Sequence, residues 1–214
     1  MAHDQYVDKD DLKTYIGISG SGQDTNIDNA INAACRQIDK VCGRYFYQDE
    51  TVNAKTFTPV SNIYLEVPDI STTTGLIVKV DENDDGTHER TLTLNTDFIL
   101  KPTNPKLIAD AGGTSYYEPY GEIRILNTRS SERFDPSIIN NVQVTAKFGF
   151  SRVPDAIKQA ALIQSLRLFK RKDTPFNVFG NDETGTIELF NKMDPDAKEL
   201  LKGYRRQNLV GNIL

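Results

Sequence analysis

Asp24-Thr25-Asn26-Ile27-Asp28-Asn29-Ala30-Ile31-Asn32-Ala33-Ala34-Cys35-Arg36-Gln37-Ile38-Asp39-Lys40-Val41-Cys42-Gly43 carries Ile27, Ile31, Ala34, Cys35, Ile38, Val41 and Cys42 at spacings of three and four. This spacing puts them on one face of a helix about 27 Å long. Asp24 or Thr25 is the expected N-cap and Gly43 the expected terminator. An apolar face of that length needs a partner to leave water, and a second one occurs far along the chain. After Val153, Pro154 suits a first helical turn and Asp155 complements its dipole. Ile157, Ala160, Ala161, Leu162, Leu166, Leu168 and Phe169 then form a broad apolar face ahead of Lys170-Arg171-Lys172. Two matching faces imply that the two ends of the chain meet.

Outward from these helices, Asp8 to Ile16 reads as a short helix ended by Gly17, and Ile18 to Gln23 as a loop. A last helix starts at Asp194-Pro195-Asp196 and carries Ala197, Leu200, Leu201 and Tyr204 on one side. Before it, a loop with Pro175 and Gly180 leads to a short strand over Thr186 to Phe190. Between the helical ends the period changes to two. Thr56 to Thr58, Ile63 to Val67, Leu76 to Val80, Thr91 to Leu94, Phe98 to Leu100, Glu122 to Leu126 and Val142 to Phe148 are short runs bounded by turn residues. The Leu76–Val80 and Thr91–Leu94 runs form a hairpin about Asp85-Gly86. The expected fold is therefore α+β: a discontinuous helical bundle from residues 1–50 and 151–214, with a large antiparallel β region, 51–150, inserted between them.

Composition narrows the function. The 214 residues hold 25 basic and 30 acidic side chains, a net charge of −5, which argues against a general nucleic-acid coat. From Met1 to Asp11 nothing resembles a secretory leader, and the longest apolar runs, such as Ala160-Ala161-Leu162-Ile163, are far too short to span a membrane. No membrane partner is expected. The only cysteines, Cys35 and Cys42, lie about 10.5 Å apart along one helix, beyond disulfide reach. With two histidines and no Cys-x-x-Cys, a zinc site lacks ligands; no metal and no cofactor are expected.

Several local patterns imitate functional motifs. Asp81-Glu82-Asn83-Asp84-Asp85-Gly86-Thr87 resembles the start of a calcium loop, but its twelfth place is Leu92 and strands flank it, so a solvated hairpin is the better reading. Gly17, Gly20 and Gly22 precede no Gly-Lys-Ser/Thr and read as an interhelical loop. His3 and His88 have no nucleophile or carboxylate partner in sequence, and the scattered acids single out no catalytic pair. Arg167, Lys170, Arg171 and Lys172 form the strongest basic feature, either complementing a helix dipole or meeting an acidic surface or passing DNA phosphates. Phe176, Val178 and Phe179 sit in a Pro/Gly-bounded loop, where they fold back or plug a neighbour's pocket. Leu209-Val210-Gly211-Asn212-Ile213-Leu214 is unusually apolar and either frays or docks.

Leu12-Lys13-Thr14-Tyr15-Ile16-Gly17-Ile18 and Ile38-Asp39-Lys40-Val41-Cys42-Gly43-Arg44-Tyr45-Phe46 resemble the start of the head-tail connector (adaptor) proteins of long-tailed bacteriophages. So do Phe148-Gly149-Phe150 running into Val153–Leu162, and Leu168 to Phe176. The resemblance covers roughly half the chain; its departure is a β insertion much larger than the small hairpin of compact members. It implies a non-enzymatic virion protein of the neck, assembled in the bacterial host cytoplasm. Such a subunit joins copies of itself, commonly twelve, in a ring below the portal protein. The ring surrounds transient double-stranded DNA and offers a platform to a stopper or tail-completion protein. Portal and subunit contacts would draw on Arg167, Lys170, Arg171, Lys172, Phe176, Val178, Phe179, Tyr204, Arg205, Arg206, Leu209, Val210, Ile213 and Leu214. The rival readings are a stopper or tail-completion protein, a β-sandwich module binding carbohydrate or peptide, and a metal-dependent hydrolase.

Overall fold

Asp8 begins the first helix by accepting the backbone N–H of Asp11, while the Asp11 carboxylate accepts the N–H of Asp8, a reciprocal cap. The computed structural model describes residues 4–109, 113, 115–171 and 193–206. Helix α1 spans Lys9–Ile16 and ends at Gly17, whose left-handed φ of 70° sends its N–H back to the last carbonyls. Helix α2 spans Asp24–Cys42 and ends the same way at Gly43. Its start differs from expectation. Gln23 occupies the cap position with no side-chain bond, and Asp24 lies inside the helix, where its carboxylate pairs with Lys13 and Lys9 of α1. An ion pair between helices has displaced a local cap.

Helix α3, Asp155–Lys170, packs along α2 and also touches α1 and α4, Pro195–Leu200. A 3-10 turn, Lys202–Tyr204, follows. The buried set of this assembly includes Tyr6, Leu12, Ile27, Ile31, Ala34, Cys35, Ile38, Phe46, Ile157, Ala160, Ala161, Phe169, Ala197 and Leu201. One expectation fails here. Leu162, Leu166 and Leu168 are only half-buried, and the inward face carries Gln164 and Ser165 instead, both fully enclosed. Gln164 is tolerated because its amide is bonded at both ends: Nε2 donates to Gln37 Oε1 of α2 at 2.7 Å, and Oε1 accepts the backbone N–H of Asp194 at 3.0 Å. The Thr186–Phe190 strand lies outside the described residues.

Among the described residues the β region comprises nine strands. β1 (Asn53–Phe57), β9 (Val142–Ala146), β3 (Ile77–Val80) and β4 (Arg90–Leu92) form one antiparallel sheet in that order. β2 (Tyr64–Ile70), β8 (Tyr120–Ile125) and β5 (Phe98–Lys101) form a second, and β6 (Leu107–Ala109) with β7 (Ser115–Tyr117) a two-stranded ribbon. The expected hairpin exists, with Val78 opposite Leu92. Alternation buries one face of each main sheet: Val78, Val80, Leu92, Val142, Val144 and Ala146 in the first; Leu65, Val67, Phe98, Leu100, Ile123 and Ile125 in the second. Three runs shift. β1 begins at Asn53 because it is an edge strand whose extent follows its partner, Asn53 lying opposite Ala146. The Val142–Phe148 run divides, since beyond Ala146 it leaves the first sheet and Phe148 bridges to Ile70 of the second. The β6–β7 ribbon was not visible as a sequence pattern.

The fold is α+β. It divides into two units, Met1–Tyr47 with Val153–Leu214, and Gln48–Arg152. Among the described residues no helix is long and apolar enough to cross a membrane.

Two predictions follow from this packing. Gln164→Ala removes the partners of the half-buried Gln37 amide oxygen and of the Asp194 N–H, and is expected to lower stability by about 1 kcal/mol or more in urea unfolding. In the β unit, the Asp97 carboxylate accepts the Thr93 N–H at 2.8 Å and the Ser130 hydroxyl at 2.7 Å, and these bonds hold its pKa below the ordinary value. A depressed carboxylate stabilises the fold above its unfolded pKa and loses that contribution as pH falls through its folded one. Melting temperatures measured on acidification below about pH 4 should therefore fall less steeply in Asp97→Asn than in the wild type.

Candidate partner-binding surfaces

Tyr204 is held half-buried, its ring edge-on to Phe46 at 5.8 Å, and burial raises its hydroxyl pKa. Two residues on, the Arg206 N–H donates to the Cys42 carbonyl at 2.8 Å, tying the segment after the 3-10 turn to the last turn of α2. Asp194 fixes the other boundary. Its carboxylate caps α4 through the N–H groups of Asp196 and Ala197, and it also pairs with the Arg167 guanidinium of α3 at 3.2 Å. Between these anchors an open cleft of about 670 Å³ is lined by Val41, Met193, Pro195, Lys198, Glu199, Lys202 and Arg205. Its lining combines the apolar Val41, Met193 and Pro195 with three cations against one carboxylate. That chemistry suits a segment with apolar side chains and net negative charge.

Of the residues singled out from the sequence, Tyr204, Arg205 and Arg206 come together at the end of α2, and Arg205 lines the cleft. Arg167 is committed to Asp194. Lys170 and Arg171 are exposed at the end of α3. Lys172, Phe176, Val178, Phe179, Leu209, Val210, Ile213 and Leu214 lie outside the described residues. The cleft adds Val41, Met193, Pro195, Lys198 and Lys202. Lys198 and Lys202 stand four apart, the one sequence signal available; Val41 reads as core, yet is only half-buried.

A second constellation fastens the segment before α1. Tyr6, 1% exposed, donates its hydroxyl proton to Asp39 and accepts the Phe46 N–H at 3.0 Å, while the Tyr6 N–H donates to Cys35 Sγ at 3.4 Å. Burial pushes the Asp39 carboxyl above the ordinary range, opposed by Tyr6 and by Arg36, which also grips Asp4. Both thiols are free and buried, and burial pushes each up to about 11. The geometry is that of a structural latch.

The acidic hairpin loop is organised by Asp81. Burial alone would raise its pKa, but the N–H groups of Gly86, Asn83 and Asp84 point at its carboxylate and hold it low. Oxygens of Asp81, Asp85 and Glu89 gather within 4.8 Å, yet those of Asp81 are engaged by the loop's own backbone. Leu92, at the place of a closing calcium ligand, is a buried strand residue. His88 sets Nε2 against the Asn140 carbonyl at 2.9 Å. His3 lies outside the described residues.

No protein-family model matches the chain, and no curated protein matches it in sequence. Its fold, by contrast, is similar to that of a chain in the neck of an empty gene transfer agent particle computed with C6 symmetry. The two are 11% identical, with a TM-score of 0.52, over 96% of this chain and 92% of that one. A chain from the virion of a native gene transfer agent particle is similar over the same shares, at 12% identity and a TM-score of 0.51. The similarity covers the β insertion as well as the helical ends.

The latch makes a direct prediction. With thiols near pKa 11, only about one in a thousand is ionised near pH 8. Cys35 and Cys42 should resist iodoacetamide in the native protein and react on denaturation; labelling followed by mass spectrometry reads the difference. Tyr6→Phe removes the hydroxyl that holds Asp39 and the Phe46 N–H, and by loosening this latch should bring forward the labelling of Cys35 packed beneath it.

Proposed function

We propose that the chain is a structural subunit of a phage-type virion neck, acting as a head-tail connector (adaptor). In this reading it joins copies of itself in a ring of about twelve beneath the portal, a size taken from the resemblance rather than from geometry. The ring extends the channel for double-stranded DNA and presents a platform to a stopper or tail-completion protein. Assembly takes place in the host cytoplasm. The observation that carries the reading is the fold similarity to gene transfer agent neck and virion chains over nearly the full length of both partners.

Three features support it. The symmetry of the neck particle accords with a ring of repeated subunits. The net charge of −5 suits a channel wall that must release DNA, since cationic walls gain affinity by displacing counterions. The cleft between α2 and α4 gives a partner of opposite charge a seat on the helical unit.

Co-expression with the portal of the same particle, followed by electron microscopy, tests the reading. Density for a ring of this chain against the portal is expected, and a chain that never joins a portal-containing particle overturns the proposal. First attachment to the tail tube would assign it to the stopper or tail-completion class. Within the connector reading, deleting Leu209 to Leu214 should leave the melting temperature unchanged while weakening portal attachment tenfold or more, about 1.4 kcal/mol. The double charge reversal Lys198→Glu with Arg205→Glu should weaken it comparably if the cleft is the seat.

A further inference from the structure

Asp85-Gly86 is the one place in the sequence where a glycine follows an aspartate, and no glycine follows an asparagine. Such a pair is chemically vulnerable, because glycine carries no side chain to shield its backbone nitrogen. That nitrogen can attack Cγ of the preceding carboxylic acid. An N–Cγ bond forms, the carboxyl hydroxyl and the amide proton leave as water, and a succinimide ring results. Water then opens the ring. Cleavage between the nitrogen and the original backbone carbonyl leaves isoaspartate, with the main chain rerouted through the side chain and one methylene longer. Both residues are exposed in the loop between β3 and β4, where solvent supplies the water and protons.

The loop engages both reacting groups elsewhere. Asp81, 2% exposed, reaches across the turn: its Oδ2 accepts the Gly86 N–H at 2.9 Å, and its Oδ1 accepts those of Asp84 at 2.8 Å and Asn83 at 3.2 Å. The nucleophilic nitrogen thus commits its hydrogen to a carboxylate five residues earlier in the chain. The electrophile is tethered as well, since Asp85 Oδ1 accepts the Thr87 N–H at 2.8 Å and Oδ2 accepts Asn83 Nδ2 at 3.3 Å. Asp81 is itself fastened from outside the loop. Its N–H donates to the Asn141 carbonyl at 2.8 Å, and its carbonyl accepts Nδ2 of the fully buried Asn141 at 2.7 Å.

We propose that Asp85 is a latent isoaspartate site, kept silent by Asp81 through its hold on the Gly86 N–H. The inference does not depend on the connector reading. For attack, the Gly86 nitrogen must turn toward Asp85 Cγ, which breaks its bond to Asp81, and the Asp85 carboxyl must release the Thr87 N–H. Both require the loop to open, so the folded protein ages at the rate of the free chain multiplied by the open fraction. Asp81 sets that fraction, because it bonds three N–H groups of the loop while Asn141 holds its own main chain in place. Rerouting the chain at Asp85 would lengthen the turn by a methylene and disturb the hairpin closure, where Val80 lies opposite Arg90.

Controlled ageing of the full chain tests the shield. The protein is incubated folded in buffer and unfolded in urea, and isoaspartate at Asp85 is measured by mass spectrometry after digestion with a protease that cuts before aspartate but not before isoaspartate. Formation should be about tenfold or more slower in the folded protein. Asp81→Ala should bring the folded rate close to the unfolded one. Asp97→Asn, which removes a carboxylate bonded elsewhere in the same unit, should age at the wild-type rate. Equal rates in folded and unfolded wild type overturn the proposal, as does Asp81→Ala ageing no faster than wild type. A rise in Asp97→Asn as large as in Asp81→Ala shows general loosening and removes the role given to Asp81. Hydrogen exchange at the Gly86 amide of the wild type gives a reading free of any folding defect in the variants. Slow exchange is expected, and exchange at the rate of an unstructured peptide refutes the hold on this N–H.

Discussion

The mutual burial of α2 and α3 is the constraint on which the helical unit depends. The first helix has an apolar stripe with nothing near it in sequence to cover it, and the second lies more than a hundred residues away. At their contact the interior is not uniformly greasy. Gln164 is fully enclosed and bonded to Gln37 on one side and to the Asp194 N–H on the other. A buried amide costs free energy unless its bonds are made with good geometry. These bonds are satisfied in one register of α2 against α3 and one placement of the α4 start. Hydrophobic burial supplies the affinity between the helices, and the glutamine selects the alignment.

That alignment carries outward. Asp194, positioned through its N–H by Gln164, uses its carboxylate to cap α4 and to neutralise Arg167. The end of α4 then delivers Tyr204 against Phe46, and Phe46 donates its N–H to the Tyr6 hydroxyl. The segment before α1, the end of α2 and the segment after α4 are thus locked by one chain of contacts. The cleft between α2 and α4 takes its shape from that chain of contacts.

The legible parts of the sequence were those decided by chemistry within a few residues. Gly17, Gly43 and Asp194 act at the helix ends they mark, because left-handed φ values and short capping side chains are local requirements. The Asp85-Gly86 hairpin is legible for the same reason. Decisions that depend on distant partners were not. Gln164 and Ser165 are absent from the apolar set that the spacing picks out on α3, and only the positions of Gln37 and Asp194 turn Gln164 inward; among the described residues nothing accounts for Ser165 in the same way. Asp24 left its expected capping role because Lys13 lay across the interhelical loop. Leu107-Ile108-Ala109 is too short to show alternation, and its strand character comes from pairing. The cleft combines Val41 with residues some 150 positions later, and no periodicity connects them.

A β insertion of about a hundred residues in a helical unit raises the question of what its length costs. For an unstructured loop, growth from about fifteen residues to about a hundred is nearly three doublings, or roughly 2 kcal/mol in closure entropy. The insertion avoids most of even this, because it folds on itself and closes its own root. Gln48 bridges to Gly149, the Asp49 N–H donates to the Phe148 carbonyl, and the Gly149 N–H donates to the Asp69 carbonyl. Paired in this way, its two ends return to the helical unit as neighbours, as those of a short hairpin would. The pairing of α2 with α3 is then insensitive to what lies between them. Strands and loops of the inserted unit can then vary while its paired ends keep the same spacing.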